Sequence, residues 1–317
     1  MKINIYLKKC LLSLFSILLL IGCKKEEVLQ KQHIDFVRFE FPQGNTNEDK
    51  QIEEIAKKYG VYIIYKNLKP KDYDNSWQLP AADVTYHITD LSTENLPTYI
   101  DLIEHRILES FDQRVMHKVL PIYVFLTDSL YTMTLRSRMP PGTTELEYYY
   151  VRSDDYDIRT TGMDYWAFCI PKSKFEDADF LKSYQCRVAF EVIMKMMNNG
   201  YITRPSEFAT MANHTTPPLE RLDKNSPNYY LKRGFVDLIE GEFEGFRAFH
   251  PWYVQNDDGD FLSFVKIMIY LTKEEFDAKY PPAEYPFLHQ RYNLLYEHFL
   301  VQNLDVHKIA NNIQSKK

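Results

Sequence analysis

The chain has 317 residues, with 38 basic and 44 acidic side chains and a formal net charge of −6. It carries no basic stripe, which argues against nucleic acid as a partner. Twenty-four Tyr, 20 Phe and only 10 Gly suit a packed globular fold rather than a linker-rich array.

The first 22 residues have the order of a secretion signal. Lys2, Lys8 and Lys9 form a positive n-region, Leu11 to Ile21 an apolar run, and Gly22 a small residue directly before Cys23. A bilayer-spanning helix needs about 20 apolar residues, so this run is too short to be an anchor by itself. Leu20-Ile21-Gly22-Cys23 resembles the lipobox of a bacterial lipoprotein, which implies cleavage before Cys23 and acylation of its thiol. Losing three leader lysines takes the charge from −6 to −9. Lys24-Lys25-Glu26-Glu27 is similar to the surface-export signal of Bacteroidetes lipoproteins and equally reads as a solvated tether. Residues 23–33 are therefore expected to form a lipidated stalk, and 34–317 a single domain. The expected location is the outer membrane, with the domain facing the cell exterior.

Asn47 to Tyr59 has helical periodicity and stops at Gly60. Val61 to Tyr65 is rich in β-formers. Leu96 to Val119 carries Ile100, Ile103, Ile107, Leu108 and Phe111 between charges, which predicts one long amphipathic helix. Strands are predicted at Pro121–Leu126, Tyr148–Val151 and Tyr165–Ile170. Phe180 to Asn199 reads as a helix closed by Gly200, and Arg204 to Tyr230 as a surface excursion. Phe261 to Tyr270 is apolar and buried by expectation. Thr272 with Glu275 forms a capping box, Pro286 to Leu304 continues helically, and Asp305 caps a terminal helix. The class is α+β, a small mixed α/β front half followed by a mainly helical body. Cys169 and Cys186 could pair outside the cytoplasm, but both sit in apolar contexts that favour buried free thiols.

Several phrases, namely the Phe180–Asn199 helix after the Tyr165–Ile170 strand, Gly234-Phe235-Val236, and Asp260-Phe261 leading to Ile269-Tyr270-Leu271-Thr272, resemble the zinc-binding metallopeptidases found among Bacteroidetes lipoproteins. The resemblance covers about residues 35–313 and implies a zincin-like body. In that family the central helix carries HExxH, whose histidines four apart reach one metal while the Glu polarises its water. Here the segment is Phe190-Glu191-Val192-Ile193-Met194. Phe190 and Met194 stand at the histidine positions, and neither a phenyl ring nor a lone thioether is a fit donor for zinc. Where the family has two distal glutamates, this chain has Gly259 and Ser263, leaving only Asp260 between them. The resemblance thus implies a domain without catalytic residues, metal or cofactor, in which Glu191 is vestigial. It further implies an accessory role beside a SusC/SusD-type transporter, with a peptide or glycan as ligand.

Two other roles stay open: an active metallopeptidase in which His250 or His214 swings toward Glu191, and a purely structural lipoprotein. Arg187, Glu191 and Lys195, spaced by four, predict a salt-bridged stripe. Asp101 and His105 are spaced for a surface pair. His289 and His298, nine apart, fall on opposite faces and cannot share a metal. Asn256 to Asp260 is acidic, but Val254 and Val265 would occupy the first and twelfth positions of a calcium loop, which excludes an EF-hand. Tyr149, Trp252 and Tyr253 are the candidates for a ligand-stacking surface.

Overall fold

The computed structural model describes residues 38–73, 84–155, 157–216, 223–236 and 256–315. Arg38 to Glu40 belong to an N-terminal unit, and the elements below to the unit running from Phe41 to the C-terminus.

The unit opens with helix α1 (Asn47–Tyr59), started by a full capping box between Thr46 and Asp49 and ended by Gly60 at φ +72°. Strand β1 (Tyr62–Ile64) follows, then β2 (Val84–Asp90). Both serve the 16-residue strand β3 (Tyr123–Arg138), the spine of a six-stranded sheet. β4 (Glu147–Asp155), the two-residue β5 (Ile158–Arg159) and β6 (Tyr165–Cys169) complete it.

β3 works differently along its length. Tyr123 to Thr127 lies between β1 and β6, parallel to both. Val124, Phe125 and Leu126 are accordingly buried on both faces and form an unbroken apolar run. Beyond Thr127 its neighbours are β2 and β4, both antiparallel, and the burial pattern loosens toward Arg138. The predicted strand at Pro121–Leu126 therefore overlaps the real one only from Tyr123 to Leu126, its first quarter, and β2 was not expected. Polar residues such as Thr127, Asp128 and Ser129 interrupt the apolar signal without interrupting the strand.

The long helix expected over Leu96–Val119 is broken. α2 (Leu96–Asp101) passes into a π-helical turn over Leu102–Ile107, a 3-10 turn at Leu108–Ser110, and an extended Phe111. Asp112 then caps a new helix, α3 (Gln113–Val119), by accepting from Arg114 N–H. The cause is visible in the apolar spacing. Leu102 and Ile107, and Ile103 and Leu108, are five apart, and all four are buried. A turn with i→i+5 hydrogen bonds brings residues at that spacing to one face. The charged residues follow suit. Arg106 Nε reaches Asp101 at 3.1 Å and His105 pairs with Glu109 at 3.2 Å, so Asp101 and His105 do not form the pair their spacing predicted.

After β6 the described chain is helical. α4 (Ala178–Asn198) is capped by Asp177, and α5 (Ser206–Met211) is a short helix inside the predicted surface excursion. α5 drives Phe208 fully into the core, so that stretch is not merely a surface loop. α6 (Asp257–Tyr270), α7 (Lys273–Lys279), α8 (Pro286–Val301) and α9 (Val306–Gln314) follow, with the Thr272–Glu275 box and the Asp305 cap in place. α4 packs against α6, α9, α3 and the π turn. The unit is α+β, with a front half larger than expected and a helical second half. Among the described residues no helix is long and apolar enough to cross a membrane.

Candidate functional site

The stretch of α4 where zinc chemistry would be expected carries no nitrogen or oxygen donor side chain at its two key positions. Phe190 is half-buried and packs against the core, with Lys266 Nζ of α6 standing 5.2 Å from its ring centroid. Met194 is likewise half-buried. A cation beside the ring works against a second, divalent cation at the same place, since like charges repel strongly where solvent is thin.

Glu191 Oε2 accepts a 3.1 Å hydrogen bond from Thr160 Oγ1. Arg187 faces Asp157 at 3.8 Å, and burial holds its pKa below the usual arginine value. Lys195 is exposed. The predicted salt-bridged stripe on α4 is therefore corrected. Arg187 and Glu191 still attract each other through space, but the segment before β6 supplies a hydroxyl to Glu191 and an acid to Arg187.

The distal phrase is built for another purpose. Asn256 caps α6 by accepting from Gly259 N–H at 2.8 Å, and Ser263 Oγ donates back to the Gly259 carbonyl at 2.8 Å. Gly259 and Ser263 thus serve the first turns of a helix. Asp257 and Asp258 pair with Arg204 at 3.5 and 2.7 Å, so the acidic run is a helix N-terminus facing a guanidinium.

Asp260 is the centre of a buried cluster. Its carboxylate takes both arms of the Arg291 guanidinium, Nη2 to Oδ2 at 2.5 Å and Nη1 to Oδ1 at 3.3 Å, and His214 Nε2 lies 2.8 Å from Oδ2. Arg291 and Asp260 are 0% and 1% exposed. Arg291 Nη1 also donates to the Gly234 carbonyl at 2.6 Å. The Arg291 guanidinium carbon sits 4.1 Å from the Phe208 ring centroid and 4.9 Å from that of Phe264. Gly234 is at φ +83°, and a Cβ there would meet Phe287 and Arg291 at 2.8–2.9 Å. Only glycine lets the backbone both adopt that turn and approach the guanidinium. The cluster ties α6, α8, the Gly234 turn and the chain after α5 into one knot.

His214 is held by Asp260 and set edge-on to Phe235, while Glu191 is held by Thr160. The two are not brought together. Neither are His289, which is buried against the Tyr280 carbonyl, and His298, which is half-buried beside Thr203. Among the described residues, no group of three or more His, Cys, Asp and Glu side chains could hold a metal ion. His250, Trp252, Tyr253 and the acylation candidate Cys23 lie outside the described residues. Tyr149 is on β4, 38% exposed, with the Arg138 guanidinium 5.4 Å from its ring. Cys169 and Cys186 are free and buried, and burial pushes the Cys169 thiol up to about 12.

Arg291 is the member that sequence reading missed. A signal existed: Leu288, Tyr292, Leu295 and Phe299 form the buried stripe of α8, and Arg291 lies within it. A charge on an apolar stripe calls for a buried counter-charge.

No family model and no curated protein matches the chain. One solved structure is similar, described as a "putative zinc-binding metallo-peptidase from Bacteroides caccae ATCC 43185". The likeness covers 85% of this chain and 92% of that one, at 10% identity and a TM-score of 0.46.

Proposed function

We propose that this protein is a surface lipoprotein in which a metallopeptidase-like domain serves as a non-catalytic component of nutrient capture, beside a SusC/SusD-type outer-membrane transporter. One observation carries the non-catalytic part. Where two imidazoles would be required, α4 presents a phenyl ring and a thioether, with an ammonium group beside the ring. Asp260, the one acidic residue left in the distal phrase, is committed to Arg291 and His214. Glu191 remains, but a lone carboxylate hydrogen-bonded to a threonine has no metal-bound water to polarise.

Metal analysis of the purified full chain tests this. Zinc should be absent at stoichiometric level, and Glu191→Gln should leave both metal content and thermal stability unchanged. Stoichiometric zinc, lost with a peptidase activity on Glu191→Gln, overturns the reading. The double variant Phe190→His, Met194→His should also fail to bind zinc tightly, because two imidazoles still lack a third protein ligand and Lys266 stays beside them. Recovery of a transporter with the chain from native membranes supports the accessory role, and recovery of the chain alone counts against it.

A further inference from the structure

The distal β3–β4 hairpin carries aromatic and apolar side chains on both faces of an uncovered edge. Tyr148 and Tyr150 are 64% and 63% exposed, and Leu146 and Met139 at the tip are 52% and 61% exposed. Strand alternation places Tyr148, Tyr150 and Arg152 on one face and Tyr149 and Val151 on the other. On its inner side β4 pairs with β3, Tyr150 opposite Leu135 and Tyr149 opposite Arg136. No described strand pairs its outer side. A long edge of this character is a template for a further strand, and proteins ordinarily blunt such edges with charge or proline. Here the middle of the edge reads Tyr148-Tyr149-Tyr150-Val151 instead.

We propose that the outer edge of β4 pairs antiparallel with β4 of a second copy, about a two-fold axis through Tyr150. A two-fold perpendicular to the sheet must set one residue of an antiparallel pair against its own copy, so few registers exist. With Tyr150 on the axis, Tyr149 faces Val151 of the other copy and Tyr148 faces Arg152, each twice. An aromatic ring opposite a β-branched side chain and a ring opposite a guanidinium are both favourable cross-strand pairs. Arg152 already lies 3.9 Å from the Tyr131 ring centroid, so the partner's tyrosine would extend an existing stack. The β3–β4 register shifts between Thr132 and Met133, so β4 is regular from Glu147 to Arg152. An axis at Val151 leaves only Tyr150 to Arg152 in regular pairing, and one at Tyr149 sets Glu147 against Val151 and Arg152 against Leu146. The extent of the regular stretch and the ring–guanidinium pairs select Tyr150. Aromatic side chains bury about 150–250 Å² each, and these tyrosines are already roughly one-third to two-thirds buried, so pairing adds several hundred Å², the range of a weak, reversible interface. The pairing stands independently of the metal-site reading.

The test uses the full chain in detergent at micromolar concentration, with mass from light scattering. The unaltered chain should be dimeric. Tyr150→Lys, which puts two ammonium groups on the axis, should be monomeric with an unchanged melting temperature. Val301→Lys, at an 85% exposed apolar residue elsewhere, should stay dimeric. Under mild oxidation Tyr150→Cys should cross-link to its copy above the background of the unaltered chain, and Val151→Cys should not. A monomeric unaltered chain, a dimer that survives Tyr150→Lys, or equal cross-linking at the two positions overturns the proposal.

Discussion

At the scale of single residues the Asp260–Arg291 pair sets the largest energies. Both groups are out of water, and their mutual attraction offsets a desolvation cost that neither could carry alone. Arg291→Met should therefore destabilise the fold by roughly 3–5 kcal/mol, since it leaves a buried carboxylate with only His214. Gly234→Ala should cost at least about 1–3 kcal/mol from the left-handed backbone, before the clash with Phe287 and Arg291 is counted. Urea unfolding of the two variants reads both values. His307 offers a pH signature. Its ring stacks on Tyr296 at 3.7 Å, its Nε2 lies 2.9 Å from the Tyr292 hydroxyl, and burial lowers its pKa below 6.5. Below that pH the unfolded chain takes up a proton that the folded one resists, so stability is lost as pH falls. Melting temperature should drop between pH 7 and about 5, and the drop should be smaller in His307→Gln. That Phe190, Met194, Gly259 and Ser263 are poor zinc donors follows from their side-chain chemistry alone. The Asp260–Arg291–His214 knot could not be read from the sequence, because its members come from segments far apart in the chain and each alone looks ordinary.

Among the elements, those with local signatures were legible. The Thr272 box, the Gly60 and Gly200 stops and the Asp305 cap are decided within four residues of themselves. The π turn was missed because periodicity was judged against 3.6 residues, while the pairs Leu102/Ile107 and Leu108/Ile103 keep time at five. β2 carries a usable alternation, with Tyr86 buried and Thr85 and His87 exposed, yet it is a strand only because β3 runs long enough to receive it. The far third of β3 has too little burial to announce itself. Its order comes from pairing with β4, joined by β2 only as far as Thr134, rather than from its own composition.

For the whole molecule the α+β order was readable, since the strands lie in the first half, interleaved with α1 to α3, and the described elements after β6 are helical. The size of the front half was not, because cross-strand partners fix it. A single backbone joins two regimes here: β3 begins among apolar neighbours that exclude water and ends in a hairpin exposed on both faces. Amide protons should record that passage as a gradient of protection along one strand. Those of Val124 to Leu126 should exchange only when the whole fold opens, and those of Leu135 to Arg138 should exchange through local fraying orders of magnitude sooner. Hydrogen exchange followed by fragment mass spectrometry reads the slope directly. The Tyr148–Val151 edge would then border the loose end of a strand whose other end anchors the fold.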